Sequence, residues 1–290
     1  MQTGKIIKSI SGFYDVLTAE GKVERTRARG NFRKQKIKPV VGDHVEFEDG
    51  YILAIKPRQN VLVRPPMANL DLAIVVMSAV EPDFSTNLLD RYLVYLAANN
   101  MEALIYVSKI DLLSEQQLAQ LMPLLQQYGE IGYRVYSHGT ADFSGIKEAA
   151  AGKTLMVMGQ SGAGKSTLLN YLLPELKLAT AEISQSLNRG RHTTRTVTLY
   201  PIGVGGAIAD TPGFSSLDLS QINSEDLGQY FIEFLDVSGQ CRFRGCQHLR
   251  EPDCAVKAAV EAGTIAKFRY TDYVQLHDEL GNLRPTYRKS

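Results

Sequence analysis

Apolar and polar positions divide the 290-residue chain into three regimes. In residues 1–66, short β-branched and aromatic segments at 5–10, 12–17, 23–29, 44–48 and 51–55 are punctuated by turn residues. The breaks fall at Ser11-Gly12, Glu20-Gly21, Gly42-Asp43 and Asp49-Gly50. Strands this short and this regularly spaced predict a small closed barrel of the OB type. Residues 67–217 change rhythm. Nearly continuous apolar runs at 70–79, 103–107 and 155–158 suit strands buried on both faces, and amphipathic helices separate them.

Ser85 or Thr86 is available to cap a helix over 88–98, and Ser114-Glu115-Gln116-Gln117 reads as a capping box opening a helix that closes at Gly129. A strand at 133–136 leads into Ser137-His138-Gly139, and strands at 196–202 and 207–209 pair through Gly203–Gly206. Strand and helix in alternation predict a doubly wound α/β sheet with its sites at the strands' carboxyl ends. Residues 218–290 read as helices over 224–235, 255–262 and 265–280, the last two closing at Gly263 and Gly281.

Chemistry concentrates at the break after Met158. Gly159-Gln160-Ser161-Gly162-Ala163-Gly164-Lys165-Ser166-Thr167 satisfies G-x-x-x-x-G-K-[ST] between an apolar run and a helical segment. Residues lacking a Cβ let successive backbone N–H groups face one concavity, and the following helix adds its positive end. Lys165 then reaches the β- and γ-phosphates, and the Ser166 hydroxyl takes a Mg²⁺ position. Guanine offers N1–H and its 2-amino group as neighbouring donors, which a carboxylate matches and adenine cannot supply. Lys109-Ile110-Asp111, the sole K-x-D of the chain, stands at a strand end and provides that carboxylate in Asp111, with the Lys109 stem along the base. Asp210-Thr211-Pro212-Gly213 also ends a strand, placing Asp210 near the metal and the Gly213 N–H near the γ-phosphate.

Charge sharpens the division. The formal net charge is +1, yet residues 1–65 hold 13 Lys/Arg against 7 Asp/Glu, a net of +6 that leaves −5 for the rest. Residues 22–38 carry eight basic side chains, and Arg25, Arg27 and Arg29 alternate, so a strand puts them on one face. With Phe32 as a stacking ring, this segment fits RNA. All three cysteines lie within 241–254 as Cys241-x₄-Cys246-x-His248-x₅-Cys254, a full tetrahedral set for one structural Zn²⁺. Arg242, Arg244 and Arg250 interleave with these ligands and suit an RNA surface, while Tyr270 and Tyr273 read as core. No apolar run approaches membrane-spanning length, and the first twenty residues lack the apolar core of a signal peptide; the expectation is a cytoplasmic protein without a membrane partner.

Base-reading turn, phosphate loop, threonine-bearing loop (Gly190-Arg191-His192-Thr193-Thr194) and D-x-x-G follow one another in the order of a circularly permuted GTPase. With a barrel before them and a Cys/His cluster behind, the whole chain resembles the ribosome-small-subunit-dependent GTPases of the RsgA family. The resemblance implies an α/β P-loop GTPase domain at 67–217, an OB-like RNA-binding barrel at 1–66 and a zinc-binding helical module at 218–290. It implies guanine contacts from Ser108, Lys109 and Asp111, phosphate and Mg²⁺ contacts from Gly159 through Thr167, and a switch threonine in Thr193 or Thr194. GTP or GDP with Mg²⁺, one Zn²⁺, and the small ribosomal subunit with its rRNA are the implied ligands and partners of a monomer acting late in subunit maturation. Ser108 departs from the usual Asn or Thr.

Phe214 occupies the place after D-x-x-G where many GTPases carry a water-orienting Gln, so intrinsic hydrolysis should be slow and His192 is the internal substitute. The chain leaves the nucleotide domain directly after Gly213, which ties the C-terminal module to the γ-phosphate sensor and predicts that GTP and GDP reposition it. The competing readings are an RNA-binding scaffold gated by nucleotide, with incidental turnover, and a P-loop ATPase or kinase.

Overall fold

The computed structural model describes residues 1–30, 32, 37–63, 65–138, 143–174, 197–210 and 217–282. Five strands build the barrel: β1 (Gln2–Ile10), β2 (Phe13–Thr18), β3 (Val23–Ala28), β4 (His44–Glu48) and β5 (Tyr51–Ile55). Their order β1-β2-β3-β5-β4 closes through a β1–β4 pairing, and β3 runs parallel to β5. Alternation decides what goes inside. Ile6, Tyr14, Val16, Val45, Phe47 and Ile52 fill the interior, while Phe13, Leu17, Arg25 and Arg27 are not buried. Gly42, at φ +93°, lets the chain pass so close to Ala68 that a Cβ would stand 1.9 Å from its carbonyl oxygen.

Phe32 corrects the sequence reading: it is only 6% exposed and belongs to the barrel core. Its ring stabilises the fold and is not open to a base. Arg25 and Arg27 lie on β3, but Arg29 falls beyond the strand's end. Of the basic run, residues 31 and 33–36 lie outside the described residues.

A hairpin of β6 (Val61–Val63) and β7 (Pro66–Ala68) leads to the α/β part. There β8 (Leu72–Ser78), β9 (Glu102–Ser108), β10 (Arg134–Ser137), β11 (Thr154–Met158) and β13 (Gly206–Asp210) form a parallel sheet in the order β10-β9-β8-β11-β13. Every residue of β8 and β11 is buried, as the uninterrupted apolar runs require. Helices α1 (Thr86–Ala98) and α2 (Glu115–Ile131) cover one face through Leu89, Leu93, Leu121 and Tyr128. On the other face, α3 (Phe143–Ala149) and α4 (Lys165–Leu172) pack Ile146, Leu168 and Leu172.

Ser85 caps α1, and the Ser114/Gln117 capping box opens α2. That helix runs past Gly129 and stops at Gly132, whose φ of 115° supplies the left-handed cap.

Antiparallel β12 (Thr198–Ile202) pairs with β13 on one side and, at Lys8↔Thr198, with β1 on the other. Barrel and α/β sheet are therefore one eleven-stranded sheet. A bulge between Ile6 and Lys8 divides the labour of β1: residues 2–5 close the barrel against β4, and Lys8 reaches β12.

The C-terminal module holds a 3-10 helix (Ser224–Tyr230), α5 (Ile232–Ser238), α6 (Ala255–Glu261) and α7 (Lys267–Asn282). The single helix expected over 224–235 is thus broken. Phe231 adopts an extended conformation between the two pieces, which turns its ring into the core with Phe234 and Tyr273. The last helix continues through Gly281 instead of ending there. Val94 of α1 belongs to the same apolar cluster and seats the module on the α/β part.

Candidate functional site

Ser108 ends β9, with its hydroxyl aimed across the sheet's carboxyl edge. It donates to the Ala163 carbonyl at 2.7 Å and is buried, so the strand end that precedes the Lys109–Asp111 turn is tied to the glycine-rich loop. The loop is backbone-limited on its other flank: a Cβ on Gly159 would lie 2.2 Å from the Val76 carbonyl oxygen, and one on Gly164 would lie 3.2 Å from the Ser108 side chain. Gly159, Gly162 and Gly164 all have positive φ, the geometry that gathers N–H groups into a concavity ahead of α4.

Lys165 opens α4, and its ammonium donates to the Gly159 carbonyl at 2.9 Å and to that of Gln160. Burial lowers its pKa, a cost that an anion beside it would relieve.

Lys109 takes a left-handed conformation (φ 57°) and starts the 3-10 turn Ile110–Leu112. Its ammonium donates to the Val80 carbonyl at 3.2 Å and to that of Glu81, which stretches the stem alongside the turn. Asp111 is exposed on the turn, free of the core and open to a ligand edge. The Val80–Pro82 segment also borders the loop tip, since a Cβ on Gly162 would sit 3.8 Å from Pro82. This segment was not a candidate from the sequence; its signal is Glu81 at φ 47°, which turns its carbonyl to Lys109. A second unforeseen pair stands one strand over: Tyr106 Oη and His138 Nδ1 are 3.2 Å apart, and burial pushes the Tyr106 phenol up to about 12, keeping its proton.

Asp210 ends β13, where its backbone pairs with Thr198. His192, Thr193, Thr194 and Gly213 lie outside the described residues, as do Gly190, Arg191 and Phe214.

The Cys/His cluster assembles as the spacing predicts. Ligand atoms of Cys241, Cys246, His248 and Cys254 all lie within 4.8 Å of one another. Cys241 Sγ is 3.7 Å from His248 Nδ1 and 4.0 Å from Cys254 Sγ, and His248 Nδ1 is 3.4 Å from Cys254 Sγ. Tetrahedral Zn²⁺ with bonds of about 2.0–2.3 Å needs ligand separations of about 3.5–3.8 Å, so the donor set fits the ion. Burial lowers the His248 pKa, favouring the neutral imidazole a metal requires, and pushes the Cys246 thiol up, opposing bare thiolates packed together. Tyr270 and Tyr273 donate to the carbonyls of His248 and Gln247, holding the knuckle on α7.

A cluster of buried ions joins the modules. Arg269 of α7 pairs with Asp90 of α1 and, through Nε at 2.6 Å, with Glu233 of α5, and Tyr128 donates to Asp90 at 2.6 Å. Arg269 is 1% and Asp90 0% exposed.

Comparison with known proteins agrees across the chain. Residues 55–220 match the RsgA GTPase family and residues 3–51 the RsgA N-terminal domain. A protein of Limosilactobacillus reuteri named small ribosomal subunit biogenesis GTPase RsgA is 54% identical, covering 100% of both chains. One of that name with the suffix 1, from Listeria monocytogenes, is 53% identical over 99% of this chain and 100% of its own. Among solved structures, the circularly permuted GTPase YloQ superposes with a TM-score of 0.83 at 43% identity, covering 99% of this chain and 97% of its own. YjeQ from Thermotoga maritima gives 0.85 at 36%, covering 98% and 99%.

Proposed function

The chain belongs to the RsgA GTPase family and is a GTPase of small-ribosomal-subunit biogenesis; from that premise we propose how its residues bind, hydrolyse and respond. Asp111 accepts from guanine N1–H and the 2-amino group, with Lys109 along the base and Ser108 and Ile110 shaping the turn. The N–H groups of Gly159 to Thr167 cradle the phosphates, and Lys165 leaves its loop carbonyls for the β- and γ-oxygens. Ser166, Asp210 and one of Thr193 or Thr194 hold Mg²⁺, which neutralises charge on the phosphates. His192 orients the attacking water, and the Gly213 N–H meets the γ-phosphate. Cys241, Cys246, His248 and Cys254 hold Zn²⁺ and keep the knuckle folded.

The small subunit and its rRNA engage the 1–66 barrel and the 218–290 module, order the loops of the 67–217 domain and so accelerate hydrolysis, after which the protein leaves. It works as a monomer in the cytoplasm, where the small subunit is assembled.

The Ser108–Ala163 hydrogen bond is the observation that supports this reading, because it ties the strand end before the Lys109–Asp111 turn to the glycine-rich loop before α4. Replacing Asp111 by Asn exchanges an acceptor for a donor and matches xanthine in place of guanine. Calorimetry is expected to show Asp111→Asn binding xanthosine triphosphate more tightly than GTP. A variant that keeps its preference for GTP would remove Asp111 from the base site.

A further inference from the structure

Within the Cys/His cluster, one carboxylate outside the ligand set organises the backbone. Glu251 is half-buried. Its Oε1 accepts from the Gln247 N–H at 2.8 Å, and its Oε2 accepts from the N–H groups of Leu249 and Arg250 at 2.9 and 3.0 Å. Three of the four N–H groups in the turn 247–250 thus converge on one anion, in a concavity of the kind backbone turns build for negative charge. The fourth, on His248, is directed at the Cys246 sulfur. The turn's carbonyls are held from the other side: Tyr273 Oη donates to Gln247 at 2.6 Å and Tyr270 Oη to His248 at 2.7 Å.

Between these two sets of bonds His248 sits at φ 56°, a sparsely populated left-handed conformation that its surroundings must hold. That conformation decides where the ring goes. It meets Phe234 edge to face, with centroids 5.7 Å apart at 85°, and a Cβ on Gly228 would come within 3.3 Å of its Cδ2. Closed in on both sides, the ring is left with Nδ1 facing the sulfurs of Cys241 and Cys254.

We propose that Glu251 is the positioning residue of the knuckle: by gathering the N–H groups on either side of His248, its carboxylate sets the His248 ring and the Cys246 sulfur where a tetrahedral ion needs them. The proposal rests on the zinc reading above and adds the group that holds the ligands in place before the ion arrives. An ionised carboxylate suits this task because both oxygens only accept, and bonds to a charged acceptor are the stronger kind. Gln at 251 keeps one accepting oxygen and turns an NH₂ group toward N–H donors, so it can serve one side of the turn and not both. Asp253, the other carboxylate of the knuckle, pairs with Arg242 in solvent, both side chains being 65% exposed.

The test reads metal binding on the full-length protein. Wild type, Glu251→Gln and Asp253→Asn are loaded with Zn²⁺ and titrated with a chromogenic chelator, and loaded in parallel with Co²⁺, whose absorption reports ligand set and geometry. Glu251→Gln is expected to hold Zn²⁺ about tenfold more weakly. Its thiolate-to-cobalt charge-transfer band should remain while the d–d bands shift, the signature of ligands retained in a relaxed geometry. Asp253→Asn should match wild type in both readings. Glu251→Asp keeps the charge but is one methylene short of spanning both sides, so it should fall between wild type and Glu251→Gln, and it carries the test should Glu251→Gln fail to fold. Far-ultraviolet circular dichroism on the same preparations verifies folding. Glu251 variants that hold Zn²⁺ as tightly as wild type, or an Asp253→Asn variant that loses as much, would overturn the assignment while leaving the zinc reading intact. Wild type that takes up neither Zn²⁺ nor Co²⁺ would instead sink the zinc reading, and the role of Glu251 with it.

Discussion

Ser108 has a single hydroxyl proton, and the Ala163 carbonyl at 2.7 Å is its nearer acceptor, with the Met77 carbonyl at 3.4 Å. Its contribution is therefore to hold the glycine-rich loop against the strand end that leads into the Lys109–Asp111 turn. Ser108→Ala should weaken GTP and GDP by the same factor, about fivefold for one neutral hydrogen bond, while Ser108→Thr restores affinity. Calorimetry with both nucleotides reads this; a loss confined to GTP would contradict a role in holding the loop. At this scale the sequence was informative wherever chemistry is local. Gly159–Thr167 and Lys109–Asp111 are contiguous patterns, and the Cys/His cluster spans fourteen residues. Phe32 misled because nearness to a basic run in sequence says nothing of which way a ring turns, and core packing claims it. The Val80 and Glu81 carbonyls that anchor Lys109 had no signature, since backbone acceptors leave no trace in residue type.

Helices α1, α5 and α7 meet at Asp90, Glu233 and Arg269, and their charges decide how firmly the C-terminal module is seated. A buried charge stripped of its partner costs about 3–5 kcal/mol, so Arg269→Met should lower stability by that amount in urea unfolding at about pH 8, where the Asp90 carboxyl is ionised. A loss below about 1 kcal/mol would mean that the cluster is solvated or dispensable.

Burial pushes the Asp90 carboxyl from 3.8 up to about 7, against the opposing pull of Arg269 and Tyr128. The folded state thus retains a proton that the unfolded chain releases, and the penalty for ionising Asp90 grows as pH rises from about 4 through 7. Asp90→Asn should flatten that limb of the stability profile. None of this was visible in sequence, because positions 90, 233 and 269 share no local pattern. Strand starts and helix caps mostly were visible. The exceptions, Gly129, Gly281 and the break at Phe231, are places where φ or tertiary packing overrode composition.

Across the whole molecule, the closed barrel and the parallel sheet were legible from two different rhythms of apolar residues, but their fusion was not. It depends on one bulge in β1 and the Lys8↔Thr198 bridge, a contact between strands nearly two hundred positions apart. Thr198 pairs with Lys8 of the barrel on one side and with Asp210 on the other, so the barrel and the strand that ends at Asp210 share a ladder. Lys5 adds a second tie between the barrel and the α/β sheet by donating to Thr154 of β11. The central claim is that this joined machine hydrolyses GTP in response to the small subunit. Multiple-turnover phosphate release, titrated with purified small subunits, tests it most directly: the account predicts slow release alone and a saturable rise with added subunit, and a rate that stays flat across the titration would contradict it.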